Sequence, residues 1–231
     1  MRASLLIILI LITGLVQGSK ITVGPADEDY PQIQKAIDNS TNGDVIEVHS
    51  GTYPERLNVF KAVNLIGVDT GDGLPVINAN GLGSAITLMA PGSTVKGFNL
   101  TGSTGCACSR NAGIQVVSGN NTIIDNVIYR NKYGIYVQQG YVNNTFISND
   151  LLENQIAARD QGGNSWNSSS RKSGGLQGLV DLITGNQMKG NHYSDYDEPR
   201  EGCNDTNSDG FCDLPKRIVD GSSVDHYPSI S

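Results

Sequence analysis

Apolar residues along this chain come in short alternating runs rather than in helical stripes. From Asp44 onward, Val45-Ile46-Glu47-Val48, Leu57-Asn58-Val59, Val63-Asn64-Leu65-Ile66, Val76-Ile77, Ala85-Ile86-Thr87-Leu88 and Ser93-Thr94-Val95-Lys96-Gly97-Phe98 are separated by turns rich in Gly, Asn and Asp. Each run reads as a short strand with one face turned inward. The phrases also recur. Gly113-Ile114-Gln115-Val116, Gly134-Ile135-Tyr136-Val137 and Gln155-Ile156-Ala157-Ala158 place isoleucines at two consecutive intervals of 21 residues, and Asn120-Asn121-Thr122-Ile123-Ile124-Asp125-Asn126 returns as Asn143-Asn144-Thr145-Phe146-Ile147-Ser148-Asn149. A period in the low twenties carried by short β phrases predicts a solenoid in which each repeat is one turn of a coil. Ile114, Ile135 and Ile156 are then expected to stack in register, in an array of about six to seven coils between residues 21 and 167.

The ends and one interruption follow from the same pattern. Ile21-Thr22-Val23 reads as an opening strand, and Tyr30 to Asn39 as a short amphipathic helix with Ile33, Ala36 and Ile37 on one face. An open solenoid end exposes unpaired backbone and apolar side chains, so this helix is expected to serve as a cap. Ile86 and Ile114 stand too far apart for the 21-residue interval, which predicts an insertion within Thr101 to Asn111, projecting from one face of the coil. Repetition fades after Asn167, and Ser168 to Gly175 has hinge composition. The expected division is a signal peptide over 1–18, the β-helix over 19–167, a linker or insert over 168–190 and a tail over 191–231.

Composition adds the compartment. One positive charge at Arg2, an apolar run from Leu5 to Val16 and small residues near Gly18 describe a cleavable secretory leader, shorter than a spanning helix needs. A retained N-terminal anchor is the alternative, and no second apolar span follows. The formal charge of −7 over 231 residues speaks against nucleic acid as a partner. Six sequons stand at Asn39, Asn99, Asn120, Asn143, Asn167 and Asn204. They mark candidate glycosylation sites, although Asn and Thr are also what β-helix turns use. Of the four cysteines, Cys203 and Cys212 flank one compact acidic loop and are the favoured disulfide. Cys106-Ala107-Cys108 is too tight to pair without strain.

From about Tyr30 to the C-terminus the chain resembles the right-handed parallel β-helix proteins of the NosD-like type, common among archaeal secreted and surface proteins. The resembling phrases are Ile33-Gln34-Lys35-Ala36-Ile37, Val48-His49-Ser50-Gly51-Thr52-Tyr53-Pro54-Glu55, Asn64-Leu65-Ile66-Gly67, Asn120-Asn121-Thr122-Ile123, Gly190-Asn191-His192-Tyr193-Ser194-Asp195-Tyr196-Asp197, and Asp225-His226-Tyr227-Pro228. The resemblance implies an all-β, single-stranded, right-handed parallel β-helix with a short N-terminal capping helix and a small C-terminal tail. It also brings a family role in copper delivery and a fold shared with polysaccharide lyases and epimerases, neither of which fixes this chain's activity.

The most legible chemistry lies in the tail. Asp205-Thr206-Asn207-Ser208-Asp209-Gly210-Phe211-Cys212-Asp213 has the spacing of a calcium loop, with oxygens from Asp205, Asn207, Asp209, the Phe211 carbonyl and Asp213. Lys216 occupies the twelfth position, where an EF-hand carries Glu, so a last ligand is sought at Asp197 or Asp195. Such an ion is expected to be structural, ordering a tail poor in apolar residues. Catalytic constellations are not legible: Asp125, Asp150, Glu153 and Asp160 are the acids on the coils, with Arg130, Lys132 and Arg159 nearby. Arg130, Lys132 and Tyr133 are a candidate sugar-binding surface. His49, His192 and His226 are dispersed, as are Met89 and Met188, and copper wants such ligands grouped. The expected function is a non-catalytic secreted or cell-envelope β-helix that binds carbohydrate or a cell-surface protein. The alternatives are a polysaccharide lyase or epimerase and, less favoured, an accessory factor in copper-site maturation.

Overall fold

The computed structural model describes residues 18–105, 110–168 and 189–230. The proposed leader, Cys106 and Cys108, and most of the 168–190 linker lie outside them. The chain opens with β1 (Lys20–Val23) and α1 (Ile33–Asn39) and then makes five turns of three strands each. These are β2 (Val45–His49), β3 (Thr52–Tyr53) and β4 (Leu57–Val59); β5 (Asn64–Val68), β6 (Val76–Asn78) and β7 (Ile86–Leu88); β8 (Thr94–Lys96), β9 (Asn99–Thr101) and β10 (Ala112–Val116); β11 (Thr122–Ile124), β12 (Val127–Tyr129) and β13 (Tyr133–Val137); and β14 (Thr145–Ile147), β15 (Asp150–Leu152) and β16 (Ile156–Arg159). β17 (His192–Tyr193), β18 (Lys216–Arg217) and β19 (Val224–Asp225) follow in the tail. The first, second and third strands of successive turns pair in parallel into three long sheets, so the architecture is a parallel β-helix.

Register aligns the inward residues into columns. Ile46, Leu65, Val95, Ile123 and Phe146 stack in the first sheet, and Ile77, Leu100, Ile128, Leu151 and Tyr193 in the second. Leu57, Ile86, Ile114 and Ile135 stack in the third. All are fully or almost fully buried, and each such side chain contributes roughly 1.5–3 kcal/mol of burial.

Two expectations need correction. Ile156 does not continue the isoleucine column: it pairs with Tyr133, and Ala158 takes the place beneath Ile135. The corner between Val137 and Thr145 is two residues longer than the one between Val116 and Thr122, so the coil from Ile135 spans 23 residues, the spacing of the Asn121 and Asn144 amides. Ile156 is half-buried and stands outside the core that Ile114 and Ile135 join, so the 21-residue phrase recurs in sequence without recurring in register. The coils are also fewer than expected, because the earlier turns are long: Ala112 and Ser84, one coil apart, are 28 residues apart in sequence. The extra length of that turn lies between Thr101 and Ala112, where the insertion was expected.

The corners of two successive coils use the same device. Asn120, Asp125 and Arg130 in one coil, and Asn143, Ser148 and Glu153 in the next, adopt left-handed φ between 51° and 61°. The residue after each is an inward Asn. Asn121 Nδ2 donates to Asn144 Oδ1 (2.9 Å) and Asn144 Nδ2 to Asn164 Oδ1 (3.0 Å). Asn126, Asn149 and Asn191 form a second ladder at 3.0 and 2.9 Å, and Asn131 and Asn154 a third at 3.2 Å. Two ladders end on buried carboxylates: Asn164 donates to Asp160 and Asn191 to Asp225.

The tail extends the coil. β17 pairs with β15, Val219 forms a parallel bridge to Arg159 of the third sheet, and Ser165 bridges Thr145 of the first. Trp166, fully buried, stacks on Phe146 at 4.1 Å near this end.

Candidate functional site

Alternation along β13 sends Ile135 inward and Tyr136 outward, between Gln115 of β10 and Arg159 of β16. The outward residues of the third sheet thus become polar and aromatic towards the C-terminal end. Tyr133 and Tyr136 meet edge to face at 5.2 Å. The guanidinium groups of Arg110 and Arg159 lie 5.8 and 5.4 Å from the Tyr136 ring centre, and the Lys132 ammonium lies 5.7 Å from that of Tyr133. Cations over ring faces are attracted by the quadrupole, by about 0.5–2 kcal/mol each depending on desolvation. Asp220, reaching back from the tail, forms an ion pair with Arg159 Nη2, while Arg159 Nε is buried with no hydrogen-bond partner. Arg110, at the end of the insertion, is exposed, and Tyr136 beneath it is almost covered.

This cluster joins Lys132 and Tyr133 to Arg159, but not to Arg130, which is paired with Glu153 at 2.7 Å. Tyr136 could have been placed outward by alternation alone. Nothing local points to Asp220, which arrives from 61 positions downstream of Arg159. The acids considered for catalysis have structural partners. Asp125 faces Lys96 at 3.4 Å and Asp150 faces His192 at 3.6 Å. Asp160 is buried, accepting from Asn164 Nδ2, Gly162 N, Trp166 Nε1 and Ser223 Oγ.

A polar cavity of ≈ 510 Å³ lies between the last coils and the tail, lined among others by Asn143, Thr145, Asn167, Ser223 and His226. It offers amides, hydroxyls and the His226 imidazole, but its lining includes no Tyr, Phe or Trp. Of the sequons, Asn39, Asn120, Asn143 and Asn204 are exposed and Asn99 is half-buried. Asn167 is buried, its Oδ1 accepting the His226 N–H at 3.4 Å.

In the tail, Cys203 and Cys212 form a disulfide. Within the loop, Asp205 accepts from the Asp209 and Gly210 N–H groups at 3.1 and 3.0 Å, Asn207 Oδ1 from Asp209 at 3.1 Å, and Asp209 Oδ1 from Phe211 at 3.0 Å. Asp213 is turned to Thr206, and Asp197 to His192 Nε2 at 3.2 Å. Asp195 holds Lys216 at 2.9 Å. Among the described residues, no three His, Cys, Asp or Glu side chains form a metal-holding group. No helix among them is long and apolar enough to cross a membrane.

A family model described as periplasmic copper-binding protein (NosD) matches residues 77–198. No curated protein and no solved structure matches the chain.

Proposed function

The chain belongs to the NosD family, whose model covers more than half of it, and from that premise we propose a non-catalytic β-helix of the periplasm or cell exterior that binds carbohydrate through the Tyr133–Tyr136 face. The carrying observation is two tyrosines flanked by Arg110, Lys132 and Arg159 on one sheet face. Aromatic rings grouped with charged hydrogen-bonding side chains suit the mixed apolar and hydroxylated faces of sugars. The exposed Asn39, Asn120, Asn143 and Asn204 are the sequons we propose as glycan acceptors.

The copper in the family description finds no fitting ligand set among the described residues. His49 is bracketed by Glu28 and Glu47, His192 by Asp150 and Asp197, Cys203 and Cys212 are oxidised, and Met89 stands exposed. Copper sites group imidazoles, thiolates or thioethers, and these are apart. Calcium suits the tail better, because Asp205, Asn207, Asp209 and the Phe211 carbonyl offer hard oxygens around a glycine turn. Asp213 and Asp197 would complete that set by leaving Thr206 and His192.

A glycan array on the mature protein, run with and without calcium, tests the reading. Glycan binding that falls at least about tenfold in Tyr133→Ala is expected, a loss of about 1.4 kcal/mol. An array with no glycan signal in either condition rejects it.

A further inference from the structure

We infer that the Tyr133–Tyr136 face takes an anionic glycan, a uronate whose carboxylate is gripped between Arg110 and Arg159. The inference rests on the carbohydrate-binding reading above and specifies its ligand class.

Three observations converge. The two guanidinium groups lie within 6 Å of the same ring, so two cations flank Tyr136 in a chain whose net charge is −7. Asp220 engages Arg159 through Nη2 and leaves its Nε, a buried donor, without an acceptor. Buried donors are rarely left unpaired in native proteins, because the cost is about 1–3 kcal/mol each. A sugar carboxylate entering beside Arg110 would give Nε its acceptor while pairing with the exposed Arg110 guanidinium. The planar fork of Arg110 favours carboxylate over hydroxyl, since two parallel N–H donors meet two oxygens, and Arg159 adds the single Nε donor. Tyr133, half-exposed at the edge of the patch, then offers its ring to the sugar carrying that carboxylate. Arg110 stands at the end of the insertion between β9 and β10, so the added loop supplies one jaw of the grip and the solenoid the other.

The test uses the full mature chain and three probes of equal length: an oligogalacturonate, its methyl ester, and a neutral oligoglucoside. Titration calorimetry is expected to show the acid binding at least about tenfold tighter than the ester, with the margin shrinking at high salt. Arg110→Gln, an exposed change that leaves the coil core untouched, is expected to abolish the margin, and Arg159→Gln to do the same if that variant retains its unfolding transition. Equal binding of acid and ester overturns the anionic assignment while leaving carbohydrate binding intact. An acid preference that persists in Arg110→Gln also overturns it, because the grip would lie elsewhere. Failure of all three probes removes the carbohydrate reading itself.

Discussion

Asn144 is held on both sides of its amide. Its Oδ1 accepts from the backbone N–H of Asn121 at 3.0 Å and from Asn121 Nδ2 at 2.9 Å, and its own Nδ2 donates to Ser118 O and Asn164 Oδ1 at 3.1 and 3.0 Å. Head-to-tail amides polarise one another in a low-dielectric interior, and each member fixes the register of two coils. Asn144→Ala strands donors and acceptors on both neighbours, so a loss on the order of 3 kcal/mol is expected, read from the denaturant midpoint. Asn143→Gly, one position away and exposed in left-handed backbone, is expected to change the midpoint by under about 0.5 kcal/mol. If the two variants unfold together, the ladder is a passive feature of the corner. The ladders also explain the fate of Asp160. A carboxylate with four donors inside the coil is a terminus for amides, and its burial withholds it from substrate.

The N-terminal cap shows how an element is fastened to a coil. Ile33, Ala36 and Ile37 bury the apolar face of α1, and Glu55 of the first coil accepts the Ile33 and Gln34 N–H groups at 2.9 Å, closing the helix N-terminus with a charge. Gln34 also behaves as a missing strand, accepting the Asn58 N–H at 2.8 Å and donating to the Asn58 carbonyl at 3.3 Å, which covers the edge of the third sheet. Between β1 and α1, Glu28 reaches His49 Nδ1 at 2.8 Å, while Glu47 meets His49 Nε2 at 3.2 Å and Lys20 at 2.8 Å. The hydrogen bond from Glu28, followed by that from Glu47, outweighs burial and raises the His49 imidazole. His49 lowers the Glu28 carboxyl in turn, and Lys20, then His49, that of Glu47. A raised folded value means that the imidazolium stabilises fully below the ordinary value of about 6.5 and that this support is lost as pH rises through the folded value. Amide exchange over residues 24–30 is therefore expected to quicken between pH 6 and pH 8 beyond its intrinsic pH dependence. His49→Gln should remove that excess, and an unchanged excess in the variant would reject the assignment.

At the scale of the molecule, the tail is joined to the solenoid through its second ladder. Asp225, fully buried, accepts from the buried Asn191 N and Nδ2 at 2.7 and 3.1 Å and Tyr193 Oη at 3.0 Å, and from the half-buried Tyr227 N at 3.0 Å. The disulfide between Cys203 and Cys212 closes the candidate calcium loop on the outer part of the same segment. Asp225→Ala leaves two buried donors, Asn191 N and Tyr193 Oη, without that acceptor, while Asn191 Nδ2 keeps Phe146 O and Trp166 O, so a cost on the order of 3 kcal/mol confined to the tail is expected. Exchange and proteolysis over 189–230 are expected to accelerate while β5 to β13 keep their protection, since each coil is held by its neighbours. Unaltered protection of Tyr193 in the variant would show that the tail is held by other contacts.

The strands, the cap helix and the direction each apolar residue faces were legible in the sequence, because alternation and helical spacing are local and Ile33, Ile46 or Ile123 carry them in their immediate neighbours. The insertion after Thr101 was legible for the same reason, as a departure from a local period. The register of the last full coil was not, because it depends on the length of the corner between Val137 and Thr145, and a two-residue change there sets Ile156 opposite Tyr133 and outside the core. The proposed binding face was half legible: Lys132 and Tyr133 were in view, whereas Arg110, Tyr136, Arg159 and Asp220 come together only when separate turns and the tail pack against one another. Which carboxylates are exposed and which end a ladder was likewise decided in three dimensions. Asp160 and Asp150 look alike in sequence, and only the coils beside them make one a buried hydrogen-bond acceptor and the other the surface partner of His192.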